Sequence, residues 1–187
     1  MGNIKVNVVR KFKSDIEVKE HEDFGIISIR YKIKGSLSKK NLTDIIGSKL
    51  PKTNEILFLK KGCLAWMSND EMWFIFSKSE PKKTINVLTN EIQMLNGLTV
   101  DISDSRIVFS LRGVLWRNVL AKGSPANLSE NSLKSGIIRR TRLGLVPVAI
   151  WCQDKENAFV ICNRSVRDYV FNWLETASLR GSVPAFH

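Results

Sequence analysis

Apolar and polar residues alternate along several short segments of the chain, and a period of two predicts β-strands. The first clear case runs through residues 27–33 and ends at Gly35. The other segments of this kind lie at 56–59, 64–67, 72–77, 99–102, 106–111, 137–142, 146–152 and 158–162. Residues 1–23 are charged and weakly patterned, so we expect them to form an N-terminal arm with at most a short strand.

Apolar residues spaced three and four apart predict helices between these strands. The predicted helices cover 38–49, 81–95 and 113–120, and a last one begins at Ser165. Pro81 suits the first position of its helix. Ser165 and Asp168 have the spacing of a capping box.

The predicted elements follow the same order in both halves of the chain. Gly35 aligns with Gly113 at one constant offset, and Trp66 aligns with Trp151 at a second offset, seven residues longer. The pattern predicts an α+β fold of two duplicated ββαββα-like units, with helices packed on antiparallel sheet. We expect an arm at 1–23, a single pseudo-symmetric domain at 24–178 with halves at about 24–97 and 98–178, and a tail at 179–187.

The chain has 29 basic and 18 acidic residues, and its net charge is +11. Such an excess suits nucleic acid, an anionic membrane or an acidic partner protein. The longest apolar run, 143–151, is far too short for a membrane span, and basic residues do not interleave with aromatic ones as in stacking platforms. We therefore expect a protein partner, with no nucleic acid and no membrane. Three cysteines without CxxC spacing indicate buried thiols in a cytoplasmic protein.

Reactive constellations are missing from the sequence. It contains no GxGxxG, GxxxxGK[ST], HExxH or GxSxG motif. With only His21 and His187, we expect no histidine to activate a serine, and no catalytic, cofactor-binding or metal residue. Asp101 and Asp104 flank Ser103 and form either a carboxylate pair or, more simply, a turn.

Four residues are candidates for a partner interface. Arg139, Arg140 and Arg142 lie on a predicted strand after a polar loop at 124–135, and alternation places Arg140 and Arg142 on one face. Trp116 lies on a short helix that already has other apolar residues for the core. Because tryptophan is favoured at interface hot spots, we expect burial against a partner for Trp116 or, alternatively, packing in the core.

An ordered set of short motifs covers residues 25–177. The set comprises Gly47-x-x-Leu50-Pro51-x-x-x-Asn54, Leu64-Ala65-Trp66-x-x-x-Asp70-Glu71-x-Trp73-Phe74-Ile75, Val100-Asp101-Ile102-Ser103-x-x-Arg106, Leu111-x-Gly113, Thr141-Arg142-x-x-x-Val146-Pro147-Val148 and Phe159-x-Ile161-x-x-Arg164-Ser165-x-x-x-Tyr169-x-x-x-Trp173-Leu174. Their order and spacing resemble the gamma subunit of heterotetrameric sarcosine oxidase. The chain departs from that family at Ser68-Asn69, where the family tends to have Gly-Pro, and at Val114, where it often has Pro.

The resemblance implies a folate-binding, aminomethyltransferase-like fold and a non-catalytic, structural role. It implies alpha, beta and delta subunits as partners, with FAD, FMN, NAD and tetrahydrofolate held by those subunits and none on this chain. The complex would demethylate sarcosine oxidatively to glycine with tetrahydrofolate and oxygen. Two alternatives stay open: a stand-alone folate-dependent aminomethyl transferase, for which Asp101 would matter, and a basic nucleic-acid-binding protein.

Overall fold

The computed structural model describes residues 8–31, 43–44, 46–80, 82–94 and 97–182. These residues form two compact units. The first unit comprises the described residues of 23–103, and the second unit comprises 8–22 together with 104–182. Each unit contains an antiparallel sheet and α-helix, so the chain is a mixed α/β protein.

The strands and helices within these ranges are numbered in chain order. The strands are β1 (Val8–Lys13), β2 (Glu17–His21), β3 (Phe24–Arg30), β4 (Ile56–Leu59), β5 (Gly62–Ser68), β6 (Glu71–Ser77), β7 (Leu98–Asp101), β8 (Arg106–Arg112), β9 (Ile138–Leu143), β10 (Val146–Cys152) and β11 (Asn157–Asn163). The α-helices are α1 (Lys82–Met94), α2 (Trp116–Ala121) and α3 (Arg167–Ala177). The predicted strands from residue 56 onward are confirmed to within two residues at either end.

The two sheets follow one strand order. It is β4-β5-β6-β3-β7 in the first unit and β9-β10-β11-β8-β2 in the second, where β1 adds an outer strand beside β2. In each unit one sheet face packs with helix side chains into a core, which includes Ile29, Leu64 and Phe74 in the first unit. Phe109 and Val160 belong to the corresponding core of the second unit.

The pairing of the strands corrects the residue-by-residue alignment of the two halves that the sequence predicted. β3 pairs with β6, and β8 with β11, over seven residues each, so β6 and β11 match end to end. The third residues of β6 and β11 then pair with Ala65 and Trp151 respectively. Trp66 therefore lies on the expected strand but one position away from the counterpart of Trp151. The sequence offset matched two tryptophans, whereas backbone pairing sets the register. Gly35 lies outside the described residues.

The predicted arm at 1–23 is wrong for its described part. β2 pairs with β8 in the second sheet, with Val18 opposite Leu111, and Ile16 and Val18 are buried in the core. Ile16 and Val18 alternate with charged residues, but two apolar positions are too few to show the period of a strand. The boundary between the units falls after Ser103, so β7 belongs to the first unit and not to the predicted second half at 98–178. The predicted halves at 24–97 and 98–178 also leave out β1 and β2. The predicted tail at 179–187 lies partly outside the described residues.

The helix ends also differ from prediction. A 3₁₀ turn at Arg164–Val166 precedes α3, whose N-cap is Val166 and makes no side-chain capping bond. Asp168 instead pairs with Arg10 Nη1 at 2.9 Å, so the predicted capping box is wrong. Most of the helix predicted at 38–49 lies outside the described residues, although 43, 44 and 46 are helical, and Pro81 lies outside them too.

The carboxyl group of Glu17 makes the stability of the β1–β2 hairpin depend on pH. Its carboxylate accepts hydrogen bonds from Lys11 and Lys19, each at 2.8 Å, which lowers the pKa of Glu17 from 4.5 to about 2. Because the folded pKa lies below the unfolded one, the stabilisation is complete above pH 4.5 and is lost as pH falls towards 2. We expect wild type to be more stable than Glu17→Gln by about 1 kcal/mol near pH 6 and equal to it near pH 2. Urea unfolding across this range checks the expectation, and a pH-independent difference would contradict it.

Candidate functional site

Three of the predicted interface residues lie on β9, which is an outer strand of the second sheet. Arg140 pairs with Ala149 and Arg142 with Pro147, and both arginine side chains are exposed. Arg139 is half-buried on the other face, so the predicted alternation is confirmed. The Nη2 group of Arg139 donates a hydrogen bond to the carbonyl oxygen of Ser132 at 3.1 Å, which ties β9 to the preceding loop. Arg140 and Arg142 are thus the better placed for a partner.

The turn between β9 and β10 adds an apolar group that sequence reasoning missed. Leu145 is 88% exposed. Gly144 has φ of +59°, which glycine adopts without strain, and its N–H donates to the carbonyl oxygen of Gly123 at 2.8 Å. A leucine after such a glycine in a tight turn was the available signal, because turns are normally polar.

We name the exposed residues Arg140, Arg142, Leu145 and Pro147 the hairpin patch. Arginine beside an exposed aliphatic side chain is a composition enriched in protein interfaces. Charged residues on an outer strand also prevent indiscriminate pairing with other sheets. The patch can therefore dock a complementary acidic and apolar surface.

Trp116 is not an interface residue. Its side chain is 0% exposed, and its indole Nε1 donates a hydrogen bond to the carbonyl oxygen of Lys155 at 3.0 Å. The guanidinium of Arg117 lies 4.2 Å from the ring centre. Trp116 belongs to the core together with Val119 and Leu120, because the short helix α2 uses all three to cover the sheet. The interface prediction for Trp116 is wrong.

One serine does have a histidine beside it, contrary to the sequence prediction. Ser110 Oγ lies 2.6 Å from His21 Nε2, and His21 is only 6% exposed. The two residues come from the neighbouring strands β8 and β2, which the sequence separates by 89 positions. His21 is buried and Ser110 is half-buried, and their contact joins two neighbouring strands, so we assign the pair to strand cohesion.

The cysteines are poor nucleophiles. Burial raises the pKa of Cys63 and of Cys162 to about 12, and burial is also the largest cause that raises the pKa of Cys152. Since the thiolate is the reactive form, these thiols stay protonated at neutral pH. All three are buried and free, as predicted.

Asp101 serves a turn. Its Oδ1 accepts hydrogen bonds from the N–H and the hydroxyl of Ser103 at 2.9 and 2.5 Å. The Ser103 oxygen in turn accepts the N–H of Ile26 at 2.8 Å, which joins the turn to β3. Among the described residues no group of three or more His, Cys, Asp and Glu side chains is placed to hold a metal ion.

Within the described ranges, no helix combines the length and the apolar character needed to cross a membrane.

Comparison with known proteins gives matches in structure only. No protein-family model and no curated protein sequence matches the chain. The chain is similar to a chain of the heterotetrameric sarcosine oxidase from Corynebacterium sp. U-96, with a TM-score of 0.81, 19% identity, and coverage of 95% of this chain and 91% of that one. It is also similar to the glycine cleavage system aminomethyltransferase T from Bartonella henselae, with a TM-score of 0.56 and 13% identity over 81% of this chain and 43% of that one. The regulatory subunit of aspartate kinase from Thermus thermophilus matches with a TM-score of 0.46.

At these identities the first two matches establish the fold. The chain shares the fold of a sarcosine oxidase subunit and part of the fold of an aminomethyltransferase. The two matches differ in coverage. This chain and the sarcosine oxidase chain cover each other almost completely, whereas this chain spans less than half of the aminomethyltransferase.

Proposed function

We propose that the chain is a non-catalytic, structural subunit of a heterotetrameric sarcosine oxidase, equivalent to its gamma subunit. The observation that carries the proposal is the match in fold over 95% of this chain and 91% of a chain from such an enzyme. The ordered motifs between residues 25 and 177 support it independently. Its partners would be the alpha, beta and delta subunits, which would hold FAD, FMN, NAD and tetrahydrofolate.

The chemistry of the described side chains agrees with a structural role. The thiols are protonated, Asp101 is engaged in a turn, and the Ser110–His21 pair joins two strands. Free, buried cysteines are also ordinary in the cytoplasm, where we place the complex. We expect the purified chain to be colourless and to show no sarcosine turnover.

We also propose that the two units arose by duplication and form an aminomethyltransferase-like fold. The common order of five strands in the two sheets supports this origin. So does the full-length pairing of β3 with β6 and of β8 with β11 in equivalent places.

A stand-alone folate-dependent aminomethyl transferase is the second candidate, favoured by the aminomethyltransferase match. Two observations weigh against it. The chain spans 43% of that enzyme, and the Asp101 carboxylate, which the sequence offers as the candidate acid, accepts two hydrogen bonds from Ser103. Saturable binding of tetrahydrofolate to the purified chain at micromolar concentration would favour this candidate. Its absence is expected.

Co-expression with the large subunits of the sarcosine oxidase of the same organism tests the proposed function. We expect the chain to co-purify with them in equal amounts and with sarcosine-dependent oxygen consumption in the complex. A chain that elutes alone at every salt concentration, while the other subunits assemble, would contradict the proposal.

The hairpin patch is the proposed docking site, because exposed charges steer and orient association. Reversal of Arg140 and Arg142 together to Glu should slow association with the large subunits about tenfold at low salt. The difference should shrink as salt rises, since exposed charges are screened over about 10 Å at 0.1 M. Surface plasmon resonance measures the rates.

The matched control reverses two exposed charges elsewhere in the second unit, Lys134→Glu with Arg180→Glu. It changes the net charge of the chain equally. If both double variants slow association to the same degree, net charge and not the hairpin patch is responsible.

A further inference from the structure

The first unit contains a cavity of about 380 Å³ between its sheet and α1. This volume lies within the range of pockets that bind small molecules. Its apolar lining comes from the sheet, from α1 and from Ile46, and charged residues of the β4–β5 turn and of α1 complete it. The lining residues are Ile29, Ile46, Gly47, Leu59, Lys60, Lys61, Leu64, Phe74, Ile85, Val87, Leu88 and Glu91.

The second unit fills the corresponding place with a tryptophan. Gly123 follows helix α2, just as Gly47 follows the helical residues 43, 44 and 46. A Cβ atom at Gly123 would lie 2.4 Å from the indole ring of Trp173. The ring therefore packs directly against the backbone of Gly123, where a side chain would clash with it. Trp173 projects from α3, which follows β11 as α1 follows β6.

Among the described residues, no such ring lies at the same place in the first unit. A Cβ atom at Gly47, where φ is +67°, would meet nothing within 4 Å. Counted from the ends of the matched strands β6 and β11, the α1 residue that corresponds to Trp173 is Val87; counted from the first residues of α1 and α3, it is Leu88. Both are smaller than tryptophan, and both line the cavity. By this correspondence the cavity lies at the position that the Trp173 ring takes against Gly123 in the second unit.

The turns at the rim differ as well. In the second unit the β9–β10 turn has Gly144 and Leu145, and Gly144 bonds directly to Gly123. In the first unit the corresponding β4–β5 turn has Lys60 and Lys61, and both line the cavity together with Glu91. Two lysines and one glutamate leave one net positive charge at the rim.

We propose that this cavity binds a small, flat aromatic molecule that carries a carboxylate. The aromatic ring takes the place that Trp173 has in the second unit, against Gly47, Val87 and Leu88. The carboxylate pairs with Lys60 or Lys61. The cavity belongs to the first unit and the hairpin patch to the second. The proposal therefore does not depend on the proposed function.

Indole-3-acetate is the probe that tests the proposal, because it combines the ring of Trp173 with one carboxylate. Isothermal titration of the full chain should give saturable 1:1 binding with a Kd of about 0.1 to 1 mM, as expected for a ligand of this size. Val87→Trp should weaken the binding at least about tenfold, since the new indole fills the cavity as Trp173 does.

The control for Val87→Trp is Met94→Trp. Met94 lies on the same helix, is 75% exposed and is not part of the lining. This variant should bind the probe as wild type does. Equal weakening by both tryptophans, or no saturable binding to wild type at 10 mM, about ten times the weakest expected Kd, would overturn the proposal.

Charge is tested by reversing Lys60 and Lys61 to Glu. This variant should bind indole-3-acetate about tenfold more weakly and should bind neutral indole as wild type does. If the reversal leaves the affinity for indole-3-acetate unchanged, the lysines do not recognise the carboxylate, and the assigned ligand class is wrong.

Discussion

Replacement of Arg117 by alanine should lower the free energy of unfolding of the second unit by about 3 kcal/mol. Arg117 Nη1 donates hydrogen bonds to the carbonyl oxygens of Leu128 at 2.5 Å and Leu133 at 3.0 Å. Its guanidinium also lies over the Trp116 ring. Each hydrogen bond from a charged donor contributes about 1.5–3 kcal/mol, and the variant leaves carbonyl groups of a partly buried loop without their donor.

The loss should be concentrated in the loop that precedes β9. Leu128 and Leu133 bury their side chains in the core of the second unit, and the carbonyl of Ser132 holds Arg139. Hydrogen exchange should therefore accelerate first at residues 124–137 in Arg117→Ala, before the sheet responds. Chemical denaturation gives the total change in free energy.

Arg117→Lys is the matched control. Lysine keeps the positive charge but lacks the planar guanidinium, whose Nη1 donates to both carbonyl groups and whose face stacks on an indole. We expect it to recover less than half of the loss. If Arg117→Lys is as stable as wild type, the positive charge alone stabilises the loop and the planar guanidinium is not needed.

Glu20→Ala should destabilise the second unit by about 2–3 kcal/mol. Glu20 is 0% exposed, and its Oε2 accepts a hydrogen bond from Arg10 Nε at 2.5 Å. Arg167 Nε lies 3.8 Å from its other carboxylate oxygen. The variant removes the one fully buried carboxylate of this network and leaves Arg10 with the exposed Asp168, and Arg167 with the partly exposed Glu22, as partners.

Glu22 provides the comparison for Glu20. It lies two residues further along, also pairs with Arg167, at 3.3 Å, and with Arg164 at 2.9 Å, but its side chain is 41% exposed. Glu22→Ala should therefore cost at most about 1 kcal/mol. Thermal unfolding of both variants checks the contrast, and similar losses would contradict the assigned role of burial.

These two networks were beyond prediction from the sequence. Glu20 looked like one of many charged residues in an arm, because its apolar neighbours are few and its partners lie at positions 10 and 167. Arg117 and the carbonyls it binds are separated by 11 and 16 residues, across a loop without regular pattern. Side-chain hydrogen bonds of this kind have no periodicity that a sequence displays.

The residues by themselves determined most of the strands and the helices α1 and α3. Alternation located β4 to β11, and the apolar spacing located α1 and α3, because each pattern follows from local backbone geometry. Local pattern also placed Arg140 and Arg142 on one face of β9, where the structure has them. The repeated order of elements predicted two similar halves, and the structure has two sheets with one strand order.

Only the tertiary structure decided how these elements combine. It joined β1 and β2 to the second sheet, placed Ala65 in the position that Trp151 has in the second sheet, and buried Trp116. It also brought His21 to Ser110 and left a cavity beside Gly47 where the second unit has Trp173. Strand pairing and core packing depend on contacts between residues far apart in the chain. A local pattern of polar and apolar positions shows which face of an element is buried, but it is the same whichever distant element packs against that face.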